Sequence, residues 1–437
     1  MSLKVEPEYF KKHLKWLTGL GIDLKPVKDV WYEKIYKVYS VTLLSYVYLY
    51  SVLEMIDIVQ TSDFDSITFG LSYAVTHILG SAKIAILIVK KKTFRQMLRQ
   101  LEKGYFVPNM ERGGEEEFRL INAAIRRSNL HADVFKTSVY FIIGIRCLYA
   151  IFDDGTCVPH TEEIVGNDTA CTLIRTLPYK AWFPVDLNKS PAYEIMFVVQ
   201  ASCLILYGLY ICFLDSIAYG MMHHMSNQYL ILRNILNRYV SIAKSIVLRE
   251  NPNADTEDNY LKDVKLPEGI EIEPKLTAEV HEVIQRIVHY CARYHLEILN
   301  YCGRIENEFR YLMLVQFLSS LYILCLQLFQ LSLVSNYLSF DSISMCLYLI
   351  LMMYQLFCYC WYGNEILVQS SDFSTDIYNT DWLLTNSNTR KSLLLMMMRV
   401  QRPTMFTAGK FALLSLPTYM SIVRGSGSYF MVLRQMQ

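Results

Sequence analysis

The sequence predicts an all-α membrane protein with seven transmembrane helices, a cytoplasmic N-terminus, an extracellular C-terminus and a cytoplasmic helical anchor bundle. Three observations predict it. Of 437 residues 53% are apolar and only 19% are charged, with mean hydropathy +0.21, whereas soluble domains carry roughly 25% charged residues. Seven apolar stretches are each long enough for a hydrocarbon core of about 30 Å, which takes about 20 helical residues. They are 37–59, 67–89, 133–152, 192–218, 312–335, 342–368 and 408–435. The segments between them alternate in charge, and that alternation sets the orientation.

The first residues, MSLKVEPEYFKKHLKWL, carry charges throughout and no apolar core of a secretory signal, so targeting is expected from the first membrane helix. Loop 60–66 has no Lys or Arg, whereas 90–130 has ten, from Lys90 to Arg127. Segment 153–191 has three basic residues against six acids, and 336–341 has none. Segments 219–311 and 369–407 are basic again. The positive-inside bias therefore puts the N-terminus in the cytoplasm and the C-terminus outside, the reverse of a G-protein-coupled receptor. Asn167-Asp168-Thr169 is a glycosylation sequon on the side called extracellular. Cys157 and Cys171 share that segment and could form a disulfide, the alternative being two free or differently paired thiols.

The third span is the weakest, because Arg146 lies inside it. Segment 219–311 reads as helices around an acidic, proline-containing interruption at 250–275, expected to be flexible. The fourth, fifth and sixth helices should then project into the cytoplasm. SNTRKSLLLMMMRV, residues 387–400, predicts a short helix ended by Pro403. The chain thus divides into a cytoplasmic segment 1–36, four transmembrane helices over 37–218 with extracellular loop 153–191, a cytoplasmic helical loop 219–311, two transmembrane helices over 312–368, a cytoplasmic anchor segment 369–407 and a seventh helix over 408–437.

Catalytic and metal-binding patterns are not found. His223 and His224 are adjacent, hence about 100° apart on a helix, and His281, His289 and His295 do not repeat on one face. Gly409-Lys410 lacks the rest of a phosphate-binding loop, and Glu115, Glu116 and Glu117 read as a solvated face. No enzyme, metal or cofactor is expected, and a net charge of +1 gives no reason to expect nucleic acid.

Ionisable residues inside the spans are functional candidates. Glu54 and Asp57 lie near the outer end of the first span and are expected to reach the interface; Lys83 and Lys90 are expected to snorkel in part, Lys83 less easily. Arg146 near an outer end and Asp215 near an inner end are too far apart for a salt bridge. His77 suits either a donor into a ligand pocket or a satisfied helix–helix contact. The outer halves of several spans carry aromatics and methionines, Tyr73, Phe141, Tyr149, Phe197, Met345, Tyr348 and Met352, and Ile145 joins them as a candidate. With His77 they compose a candidate pocket for small apolar molecules, although any one of them equally suits packing of the bundle.

The last stretch carries Ser, Thr, Gly, Arg and Gln along its length, which a mere lipid anchor does not need. TAGKFALLSLPTYMSIVRGSGSYFMVLR resembles the C-terminal signature of insect odorant receptors at Thr407, Ala408, Gly409, Lys410, Phe411, Ser415, Tyr419, Arg424, Ser428, Tyr429 and Phe430. LLLMMMRVQRP (393–403) and YNTDW (378–382) are similar to the family too. Gustatory receptors end on a different pattern where this chain has Ser428-Tyr429 and Gln435-Met436. Arg434 and the shorter second cytoplasmic loop resemble a tuning subunit rather than the shared co-receptor.

The resemblance implies an odorant-gated, nonselective cation channel of the plasma membrane of olfactory neurons, a heterotetramer with the co-receptor, binding small volatile organic molecules. It implies that the seventh helix lines the pore, that the cytoplasmic bundle holds the subunits together, and that Val432 and Met436 form an apolar gate. Spacings of four, three and four put Gly425, Tyr429, Val432 and Met436 on one helix face, with Arg434 about 200° from Val432.

Overall fold

In the computed structural model, residues 8–24, 30–152, 156–159, 171–187, 189–252, 256, 276–334 and 338–435 are described. Eleven α-helices account for most of them: α1 (Lys11–Gly19), α2 (Val30–Gln60), α3 (Phe64–Val89), α4 (Lys91–Leu101), α5 (Met110–Phe152), α6 (Ala192–Leu236), α7 (Tyr239–Glu250), α8 (Ala278–Leu333), α9 (Phe340–Tyr378), α10 (Ser387–Val400) and α11 (Leu416–Gln435). The strands form two small antiparallel hairpins, β1 (Thr156–Pro159) with β2 (Cys171–Ile174) and β3 (Thr407–Ala408) with β4 (Ala412–Leu413).

Among the described residues six helices, α2, α3, α5, α6, α8 and α9, are long and apolar enough to cross a membrane. Several far exceed what a bilayer needs. α8 has 56 residues and α6 has 45, about 84 and 68 Å at 1.5 Å per residue, so both run well beyond a core of about 30 Å. The basic segment 90–130 is helical as well, forming α4 and the first half of α5, which bends at Gly114 (φ 63°, ψ −154°). The interruption read at 250–275 lies almost wholly outside the described residues.

Local chemistry sets the helix starts. Asp63 caps α3 by accepting from the Ser66 N–H at 2.9 Å, Ser339 caps α9 through the Ser342 N–H at 3.1 Å, and Asn386 caps α10 through the Thr389 N–H at 2.9 Å. α6 is the central stave. Nearly every residue from Leu209 to Tyr229 is buried, because α5, α8 and α9 pack around it. At the end opposite the β1–β2 hairpin, α7 and α10 flank α8 and make a compact helical bundle.

Four expectations need correction. Glu117 is not on a solvated face: it is 2% exposed and paired with Arg112. The seventh apolar stretch is helical only from Leu416, because 407–413 folds back as the β3–β4 hairpin. Its turn has positive φ at Gly409 (62°) and Lys410 (66°), closed by the Phe411 N–H on the Ala408 carbonyl at 3.1 Å. Glu54 does not reach an interface: it is 3% exposed and paired with His77. Lys83 does not snorkel: it is 2% exposed and paired with Asp215.

Candidate functional site

Near the β1–β2 end, α3, α5, α6 and α9 enclose a cavity of about 70 Å³. Its wall is built of the side chains that each helix turns inward: Tyr73, Thr76 and His77 from α3, Phe135, Val139, Ile142 and Ile143 from α5, Leu204, Tyr207 and Ile211 from α6, and Tyr348, Leu351 and Met352 from α9. Gly208 also faces it, where α6 comes so close to α5 that a Cβ would lie 2.3 Å from Val139. That approach narrows the cavity.

The few polar groups in this wall are mostly satisfied. Thr76 and the Tyr348 hydroxyl share a hydrogen bond of 2.5 Å. His77 Nδ1 lies 2.7 and 2.9 Å from the two carboxylate oxygens of Glu54. The Tyr207 hydroxyl donates to the Val47 carbonyl at 3.0 Å and stands 2.9 Å from the Ser81 hydroxyl. The buried hydroxyl of Tyr73 has no hydrogen-bond partner within 3.5 Å, with the Gln327 side chain close by. The site is therefore an apolar, aromatic-walled space with few polar groups to offer.

A second, wider cavity of about 520 Å³ lies above the first and is lined by Phe69, Arg146, Tyr149, Lys180, Asp341 and Met345, among others. Tyr179 borders both cavities. Its ring lies 4.6 Å from that of Tyr73, and the Arg146 guanidinium stands over it at 4.9 Å. Arg146 donates to the Pro178 carbonyl at 2.8 and 3.0 Å and pairs with Asp341. These bonds explain how a charged residue sits inside an apolar helix. Tyr179 thus stands between the small cavity and the large one.

The nine candidate pocket residues are partly brought together. Tyr73, His77, Tyr348 and Met352 line the small cavity, while Tyr149 and Met345 line the large one. Ile145 and Phe197 line neither, and Phe141 points away from the bundle, 60% exposed. Helical geometry is the reason: successive residues turn about 100°, so Ile142 faces inward where Phe141 cannot. Tyr179 was missed because it comes from a loop. Its signal is the run Leu177-Pro178-Tyr179 and Trp182-Phe183, apolar and aromatic within a polar segment.

Met436 and Asn167 lie outside the described residues. Cys157 stands opposite Leu173 and Cys171 opposite Pro159 in the β1–β2 register, so the cysteines are diagonal and not directly paired across the hairpin. Among the described residues no three His, Cys, Asp or Glu side chains could hold a metal ion.

A family profile described as "7tm Odorant receptor" matches residues 63–427. The chain belongs to the insect odorant receptor family. It is thus a multi-pass membrane protein of the odorant-gated channels and not an enzyme. The match separates it from the gustatory and G-protein-coupled alternatives that a count of spans leaves open. Odorant receptor 10 of Aedes albopictus is 23% identical over 379 residues, 85% of either chain. Odorant receptor Or2 of Anopheles gambiae is 34% identical over 145 residues, 33% of this chain and 38% of its own. The fold is similar to that of the olfactory receptor OR5 from Machilis hrabei, solved in complex with eugenol, at TM-score 0.75 and 14% identity over 98% of both chains.

In this odorant receptor the Thr-Ala-Gly-Lys signature is a docking hairpin. The Thr407 N–H donates to Glu306 at 2.9 Å and the Gly409 N–H donates to the Arg310 carbonyl at 2.8 Å, both on α8. A Cβ at Gly409 would lie 2.6 Å from Leu314, so this position needs glycine for contact as well as for φ. The hairpin fixes where α11 starts against α8. Further along, Ser426 is buried while Tyr429 and Val432 are 60% and 54% exposed in the single receptor chain.

Proposed function

We propose that the receptor binds small, largely apolar volatile molecules in the cavity bordered by Tyr179 and opens a cation pore lined by α11. The observation that carries this reading is the aromatic and aliphatic cavity with its few polar groups. A dry cavity of about 150 Å³ accepts benzene, roughly twice the volume found here. A volatile of that size must therefore widen the space between α3, α5, α6 and α9, and the free energy of binding biases the bundle towards the widened arrangement.

The receptor works in the plasma membrane, with the N-terminus inside and the C-terminus outside. Charge alternation between spans supports this orientation, and it places the large cavity on the outer side, where volatiles arrive. The tuning subunit pairs with the odorant receptor co-receptor in a heterotetramer. The exposed face of Tyr429 and Val432 would then turn to the shared axis, with Val432 and Met436 closing the pore as an apolar constriction. Asn167 would carry a glycan on the outer side.

Expression with the co-receptor, followed by current recording against a panel of volatiles, tests the reading. Odorant-evoked cation currents that need both chains are expected, and their dose–response should shift in Tyr348→Ala and Tyr73→Ala. Unshifted curves in both variants would remove the cavity from the mechanism.

A further inference from the structure

Below the small cavity lies a second set of buried polar side chains that ligand binding does not use. Lys83 of α3 is 2% exposed and Asp215 of α6 is 1% exposed. Lys83 Nζ donates to Asp215 Oδ1 and to Gln316 Oε1 of α8, both at 2.6 Å. Tyr359 of α9 donates its hydroxyl to Asp215 Oδ1 at 2.6 Å, and Gln355 of α9 donates to Asp215 Oδ2. Gln316 Nε2 in turn donates to Gln355 Oε1 at 3.2 Å and to Ser320 at 3.0 Å. One hydrogen-bonded cluster thus ties four helices at a single level.

Stability alone is a weak reason for such a cluster, since buried ion pairs are often matched by apolar packing of equal volume. Its position is more telling. On α6, Asp215 follows the cavity residue Ile211 by one turn, and on α9, Gln355 follows Leu351 and Met352 by one turn. Widening of the cavity therefore moves the helices that carry Asp215 and Gln355. A further small cavity of about 30 Å³, bordered by Lys83, Asp215, Tyr359 and Leu312, leaves space beside the cluster for such a shift.

Gln316 connects the cluster to α8, and α8 is the helix against which α11 is set. Leu314, two residues before Gln316, fills the space beside Gly409; Leu321, five residues after it, stands 3.4 Å from where a Gly425 Cβ would lie. We infer that Gln316 and Gln355 are positioning residues for gating, which hand the displacement of α6 and α9 on to α8 and thereby to α11. This inference rests on the reading of α11 as the pore wall. Coupling across such a network is a free energy shared by its members, so the two glutamines act as one unit.

The test uses the full receptor co-expressed with the co-receptor and the most potent agonist from a panel of monoterpenes and substituted benzenes. Gln316→Leu and Gln355→Leu are each expected to lower the maximal evoked current per surface receptor by about fivefold or more, with the double variant no worse than either single one. Agonist affinity, measured by direct binding to the purified complex, should stay within about twofold of wild type, a split that general misfolding would not produce. Wild-type current per surface receptor in both single variants would overturn the proposal, and so would affinity that falls in step with current. If the glutamine variants do not reach the surface, Tyr359→Phe removes one hydroxyl and decides instead: a drop of about twofold or more is expected, and no change would overturn it. Val432→Lys in the same cells separates failure here from failure of the pore reading, since it acts on α11 without touching the cluster.

Discussion

Gln200 holds Tyr179 by both of its main-chain polar groups, accepting from the N–H at 3.1 Å and donating to the carbonyl at 2.8 Å. A fully buried amide side chain on α6 thereby pins the loop residue that borders both cavities. Gln200→Leu would leave both backbone groups unpaired, at about 1–3 kcal/mol each. Tyr179 should then move aside more often, so that odorant-evoked currents rise faster and bulkier volatiles become agonists. Rapid-perfusion recordings with unchanged onset and an unchanged agonist panel would contradict this role.

The cavity predicts a graded set of effects. Tyr348→Ala removes both a wall and the partner of Thr76, and should raise the half-maximal agonist concentration by about tenfold or more, equivalent to about 1.4 kcal/mol. Thr76→Val should act in the same direction but less strongly. Phe141→Ala, which alters an exposed surface of α5, should leave the curve within about twofold. Dose–response recordings in co-receptor cells give all three.

Gly409→Ala should be poorly tolerated. It places a Cβ at positive φ and within 2.6 Å of Leu314, adding a clash to a backbone penalty of about 1 kcal/mol or more. Surface biotinylation is expected to show reduced receptor, and purified protein should melt at lower temperature. Gly303→Ala, where nothing lies within 4 Å, is the matched control and should behave as wild type.

The bundle remote from the ligand cavity should be acid-sensitive. Burial pushes His295 down to about 4, with the charge of Arg399 adding to the effect, and its ring packs 5.3 Å from Phe373 and 5.9 Å from Tyr229. An unfolded histidine takes its proton near pH 6.5. Between pH 6.5 and 4 the unfolded chain therefore binds a proton that the folded chain refuses, and stability falls as pH falls through that window. At pH 5.5 the loss from this one group is on the order of 1 kcal/mol. Thermal melts of the purified receptor should show the decline, and His295→Phe should flatten part of it.

What was legible in the sequence is the part that local pattern controls. The helix read at 387–400 is α10, and six of the seven apolar stretches fall within long helices. The β3–β4 hairpin was hidden, because Thr407-Ala408-Gly409-Lys410-Phe411 continues an apolar run and the docking on Glu306 and Arg310 involves residues about a hundred positions away. The same holds for the buried charges. Glu54 and Lys83 read as interfacial only while their partners were unknown, and Lys83 meets Asp215 across 132 positions. Within the cavity, membership turned on helix rotation: Tyr348 and Met352, one turn apart, both face inward, whereas Phe141 lies on the wrong side of α5.

The link between an odorant cavity and a pore wall at α11 is tested most directly by the ion selectivity of evoked current in Val432→Lys, measured as reversal potential under bi-ionic conditions at matched surface levels. A fixed positive charge on the pore-facing surface should abolish the odorant-evoked current or shift its reversal potential towards lower cation selectivity. Evoked currents of wild-type size and wild-type reversal potential would contradict the assignment of α11 to the pore.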